Sequence, residues 1–109
     1  MARLKDATHT GEFEAARDEG GAVIADFFTR SCVLCRKVEP MVAAAVAGTG
    51  GGLAAFRIDA EEAPDLAVEY EVRGVPTLLL FHRGELIDRK VGFATARELR
   101  EWVSPYLDR

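Results

Sequence analysis

Apolar and polar positions follow two different rhythms along this chain, and the switches between them predict its elements. Gly21 to Phe28 reads GAVIADFF, an apolar run broken only by Asp26, as expected of a strand covered on both faces. Leu34, Val38, Met41, Val42 and Ala45 then recur at helical spacing, which predicts one buried helix face. Pro40 falls inside that helix, removes one backbone hydrogen bond and should kink it. Leu53 to Asp59 predicts a second strand, and Pro64 marks the first turn of a short helix carrying Leu66 and Tyr70. Pro76 to Phe81 and Glu85 to Val91 predict two more strands, joined tightly through His82, Arg83 and Gly84.

Helices close both ends. Glu12 to Arg17 predicts a short one with Phe13 and Ala16 facing inward and Thr8 or Thr10 as its N-cap. Thr95 and Glu98 form a capping box ahead of a helix that places Leu99, Trp102, Val103 and Tyr106 on one face. The order is helix, strand, helix, strand, helix, hairpin, helix. Crossover helices join parallel strands and a hairpin joins antiparallel ones, so the expectation is an α/β fold with a mixed central sheet and helices on both faces. The chain of 109 residues suits one domain, 1–109, and the run Gly50-Gly51-Gly52 is better read as a helix-to-strand connection than as a linker.

Composition narrows the function classes. The 49% hydrophobic content is ordinary for a globular chain, and a net charge of −4 without a basic patch disfavours nucleic acid, whose phosphates demand Lys and Arg. The first eighteen residues are charged throughout and carry no signal-peptide core. The uncharged stretch Pro40 to Phe56 stops short of the roughly eighteen apolar residues a membrane span needs. A cytoplasmic protein with neither nucleic-acid nor membrane partners is expected. Two cysteines cannot build a disulfide framework, so the core must come from packing.

Those cysteines are the informative feature. Cys32-Val33-Leu34-Cys35 follows a buried strand and opens a helix, where unpaired N–H groups and the helix dipole favour a thiolate. The spacing puts the second sulfur within reach of a mixed disulfide formed at the first. Ser31 is a candidate N-cap and a donor to the Cys32 sulfur. Two other readings stay open: small buried hydrophobes, or half a zinc site completed by His9 and His82, each better read as a surface histidine. Asp26 is costly to bury unless paired or protonated, and it lies on the strand that feeds the pair, where it can exchange a proton with Cys35. The competing reading places Asp26 at an open edge or in a plain ion pair with Arg57. Val75-Pro76 precedes a buried strand; a cis bond there would present the Val75 backbone to an extended substrate, while an ordinary trans proline would merely start the strand.

The chain resembles the thioredoxin family over nearly its whole length. The likeness runs through Asp26-Phe27-Phe28, Cys32 and Cys35 to Pro40, then Arg57-Ile58-Asp59, then Arg73-Gly74-Val75-Pro76-Thr77-Leu78, then Phe81, Gly84 and Gly92. The resemblance implies a thioredoxin fold, Cys32 as attacking and Cys35 as resolving cysteine, and Asp26 as the buried acid beneath them. It also implies Arg57 in the place of a family lysine, Pro76 as the cis-proline, and Gly74, Val75, Gly92 and Phe93 as an apolar docking rim. Protein disulfides are the implied substrates and an NADPH-dependent thioredoxin reductase the implied partner, with no metal or organic cofactor needed for the exchange itself. The departures are Ser31, Val33 and Leu34, where the family's usual motif has Trp, Gly and Pro. They motivate an alternative, a binding or redox-sensing module with little turnover, and more weakly an oxidant or isomerase.

Overall fold

The structure, a computed structural model, describes residues 5–6 and 11–107. In chain order the elements are β1 (Lys5–Asp6), α1 (Gly11–Glu19), β2 (Ala22–Phe28), α2 (Val33–Ala47), β3 (Leu53–Asp59), α3 (Pro64–Glu69), β4 (Thr77–His82), β5 (Glu85–Val91) and α4 (Ala96–Val103), followed by a 3-10 turn over Ser104–Tyr106. The expected sequence of helices and strands holds, with β1 added. Two residues carry no periodicity, so β1 left no signal in the pattern. The candidate caps Thr8 and Thr10, and His9, lie outside the described residues.

The strands form one sheet in the order β1-β3-β2-β4-β5. β1 and β2 run parallel to β3, β4 runs antiparallel to β2, and β5 antiparallel to β4. The central position of β2 explains its unbroken apolar run, because both faces and both edges are covered. Alternation along β2 sends Ala22 and Ile24 to one face, where they pack with Val38 and Val42 of α2 and Leu99 and Val103 of α4. Val23, Ala25 and Phe27 go to the other face, with Phe13 of α1, Leu66 of α3, Phe56 and Phe81. That second core is aromatic: the Phe13 and Phe81 rings meet edge-on at 5.3 Å, and Tyr70 meets Phe81 at 5.2 Å.

Local signals fix the boundaries. Arg83 and Gly84 both have positive φ, 55° and 80°, which matches the right-handed twist of the β4–β5 hairpin. The capping box is present, with the Glu98 N–H donating to Thr95 Oγ1 at 3.1 Å and the Thr95 N–H donating to Glu98 Oε1 at 2.9 Å. β5 is an edge strand, exposed along most of its length and carrying Asp88, Arg89 and Lys90, charges that discourage pairing with another sheet. His82 is the last residue of β4 rather than part of the turn, and it is half-buried with its ring 5.4 Å from that of Tyr106.

Candidate active site

The loop leaving β2 delivers Cys32 to the start of α2, and Cys32, not Ser31, is the N-cap. Its extended backbone (φ −83°, ψ 108°) lets Sγ accept the Cys35 N–H at 3.0 Å, so the sulfur itself meets one of the helix's unpaired donors. Ser31 stands one residue before the cap and is exposed. Cys32 and Cys35 are joined in a disulfide with their Cα atoms 5.3 Å apart. Cys35 is 4% exposed and heads the buried stripe of α2 that continues through Val38, Val42 and Ala45. Leu34 is off that stripe: Val33 and Leu34 are 58% and 41% exposed, because the first turn of α2 stands past the end of β2 with no layer over it. The expected apolar face therefore begins at Cys35.

The approach to the disulfide is braced. Arg36 Nη1 donates to the Arg30 carbonyl at 2.9 Å, and Arg30 Nε lies 3.5 Å from Asp59 Oδ2 at the end of β3. Just before the neighbouring strand β4, the Val75-Pro76 bond is cis. Phe27 of β2 is registered against Thr77, which sets Pro76 beside the end of the strand that leads to Cys32. Thr77 Oγ1 donates to the Gly74 carbonyl at 2.6 Å and the Gly92 N–H donates to the Pro76 carbonyl at 3.0 Å. Gly74, Val75, Pro76 and Gly92 are thus held as one hydrogen-bonded cluster, and Phe93 beside it is 49% exposed. The Arg89 guanidinium donates to the Tyr70 and Glu71 carbonyls, anchoring the segment that leads into this cluster.

Asp26 is 1% exposed on the central strand, so the open-edge reading is wrong. It follows Ala22 and Ile24 on the α2 side of the sheet, the side to which Cys35 is buried. Burial pushes its carboxyl up to about 7; the positive charge of Arg57 pulls the other way and the negative charge of Glu39 adds to the rise. Asp26 Oδ1 makes no hydrogen bond among the described residues. Arg57 is registered directly against Asp26 on β3, yet its Nε faces Glu39 Oε2 at 3.5 Å and its guanidinium stacks 4.0 Å over the Phe28 ring.

Glu39 is the residue that sequence reasoning missed. The available signal was its position four after Cys35, one helical turn along the same face. The zinc reading gains no support, since among the described residues no group of three or more His, Cys, Asp or Glu is placed to hold a metal.

A redox-capable cysteine pair at a helix N-terminus, with a carboxyl buried on the same side of the sheet and titrating at about 7, defines a thiol–disulfide oxidoreductase. Comparison with known proteins gives the family. The thioredoxin family model matches residues 4–105. The chain is 32% identical over 89 residues to a thioredoxin of Staphylococcus aureus, covering 82% of this chain and 86% of that one. A mutant thioredoxin from Halobacterium salinarum NRC-1 superposes with a TM-score of 0.89 at 31% identity, covering 98% of this chain and 93% of that chain. Mitochondrial thioredoxin 3 of Saccharomyces cerevisiae shares the fold at 24% identity and a TM-score of 0.81, with 94% of each chain covered. This chain belongs to the thioredoxin family, and it is a dithiol–disulfide oxidoreductase acting on protein disulfides.

Proposed function

We propose that the protein reduces protein disulfides, with Cys32 attacking, Cys35 resolving and Asp26 accepting the Cys35 proton. The observation that carries this reading is the asymmetry of the pair. Cys32 is the more accessible sulfur and takes the helix N–H that stabilises a thiolate, whereas Cys35 is buried on the side of the sheet that carries Asp26. The Cys32 thiolate attacks one sulfur of the substrate disulfide and expels the other as a thiolate, which takes a proton. Cys35 then loses its proton to Asp26, and its sulfur attacks Cys32 Sγ of the mixed disulfide. The Cys32–Cys35 bond forms, the second substrate sulfur leaves as a thiolate and takes a proton, and two electrons have passed to the substrate.

Gly74, Val75, Pro76, Gly92 and Phe93 form the surface on which an extended substrate lies, with Val33 and Leu34 adding exposed apolar area beside the sulfurs. Ser31 and Arg57 support the site, Ser31 as the small residue before Cys32 and Arg57 as the cation beside Asp26. The partner that restores the dithiol is an NADPH-dependent thioredoxin reductase. The setting is the cytoplasm, where thiols are kept reduced, and residues 1–109 act as one thioredoxin-like domain. No helix of the described residues is long and apolar enough to cross a membrane.

Equilibration with glutathione couples, followed by thiol trapping, tests the reductase role. A reduction potential near the roughly −270 mV of thioredoxins is expected, and one near the roughly −120 mV of a strong disulfide donor would overturn it.

A further inference from the structure

The segment that carries the proposed substrate surface leaves α3 through a left-handed residue, Glu71, at φ 55°. The Glu71 N–H donates to the Val68 carbonyl at 3.1 Å and the Val72 N–H to the Ala67 carbonyl at 2.8 Å, a Schellman closure built without glycine. This closure satisfies carbonyls inside the helix and leaves those of Tyr70 and Glu71 to find partners elsewhere. Arg89 supplies both. From β5, the half-buried guanidinium donates through Nη2 to Tyr70 O at 2.7 Å and through Nη1 to Glu71 O at 3.2 Å. The Glu71 side chain turns instead to Arg73 at 3.7 Å, an exposed pair that contributes little. Further along the same strand Val91 is registered against Thr77, and the Gly92 N–H reaches the Pro76 carbonyl at 3.0 Å. β5 therefore grips this segment at its start and at its end, and Arg73, Gly74 and Val75 run between the two grips.

We propose that Arg89 is a positioning residue for protein substrates: by clamping the last carbonyls of α3 to β5, it sets where the Gly74-Val75 backbone meets an extended substrate chain. The proposal rests on the reading of Gly74, Val75 and Pro76 as the substrate surface. A planar guanidinium fork on two successive carbonyls fixes their orientation as well as their distance. A backbone surface binds an extended chain best when its polar groups are already in place, since ordering them on binding subtracts from affinity. A small disulfide needs only the Cys32 sulfur and gains nothing from that surface. Arg89 thus raises the preference for protein over small disulfides, and it does so through the backbone of 70–75 rather than at the sulfurs.

Single-turnover reduction of insulin and of dithiobis(nitrobenzoic acid) by the reduced protein reads that preference as a ratio of second-order rate constants. Arg89→Met should slow insulin reduction about tenfold, the scale of a slight misplacement of interacting groups, and leave the small disulfide unaffected. Arg89→Lys, which can still bond one carbonyl, should fall between Arg89→Met and the wild type. A loss of stability alone moves the denaturant midpoint but not this ratio. An unchanged ratio in Arg89→Met, or an Arg89→Lys no better than Arg89→Met, overturns the proposal. Gly74→Gln tests the surface itself, because a Cβ there meets no atom within 4 Å and the added side chain stands in the path of an extended substrate. It should slow insulin selectively. Insulin reduction untouched by Gly74→Gln overturns the substrate surface and this proposal with it. Insulin reduction slowed by Gly74→Gln but not by Arg89→Met overturns the role of Arg89 alone.

Discussion

The two faces of the central sheet are made by alternate residues of the same strands and have opposite characters. Toward α1 and α3 the strands present Val23, Ala25, Phe27, Phe56 and Phe81 to Phe13 and Tyr70, a core of interlocking rings with no buried charge among the described residues. Toward α2 and α4 they present Ala22, Ile24 and Leu80, but then Asp26, a carboxyl that burial keeps protonated to about neutral pH. The first face serves packing alone. The second buries one carboxyl on the side of the sheet that carries Cys35, at a cost in stability, and the proposed proton transfer draws on that carboxyl. A single strand can do both because side chains in a strand alternate, so a charge at position 26 leaves Phe27 untouched.

This contrast can be broken from either side. Truncating the aromatic face has the largest expected effect: Phe81→Ala should cost about 3–5 kcal/mol of unfolding free energy. Denaturant midpoints measure it, and disulfide reduction per folded molecule should persist. The opposite face predicts a gain. Asp26 binds its proton more tightly folded than unfolded, so its penalty is absent near pH 4 and grows as pH rises from the ordinary value of 3.8 toward about 7. Asp26→Asn should therefore raise stability at pH 8 by up to about 4 kcal/mol, with little difference at pH 4, while resolution of the mixed disulfide slows. Thermal melts at both pH values check the sign, and equal effects at both would contradict it. A smaller change sharpens the aromatic side. Tyr70→Phe removes the acceptor of the 2.6 Å hydrogen bond from Arg17 Nη1 and should cost about 1 kcal/mol with no pH dependence between pH 5 and 8. Thr95→Ala, at the cap of α4, should cost about 1 kcal/mol and leave the site unaffected.

How much of this was legible beforehand differs by region. Strands β2 and β3 were readable because continuous apolar runs leave few alternatives, and α4 because its capping box is a local signal complete within four residues. The dithiol and Asp26 stood out for the same reason: each is a chemical exception in its surroundings. Other features depend on neighbours that sequence spacing does not reveal. Leu34 fits the helical period of α2 but lies in a first turn with no layer over it, so periodicity overestimated its burial. The N-cap moved from Ser31 to Cys32 because the loop from β2 brings the cysteine itself into the extended cap conformation. Glu39 went unnoticed because an acidic residue before a helix proline looks like solvated surface, and only the register of β3 brings Arg57 across to it.

Attack by Cys32 and resolution by Cys35 can be separated by trapping the mixed disulfide. Reduced Cys35→Ser mixed with a disulfide-bonded protein should accumulate one covalent adduct per molecule, mapped by mass spectrometry to Cys32 and released by dithiothreitol. Cys32→Ser under the same conditions should form almost none. Equal trapping through Cys35, or rapid turnover by Cys35→Ser without an adduct, would show that Cys32 is not the attacking sulfur.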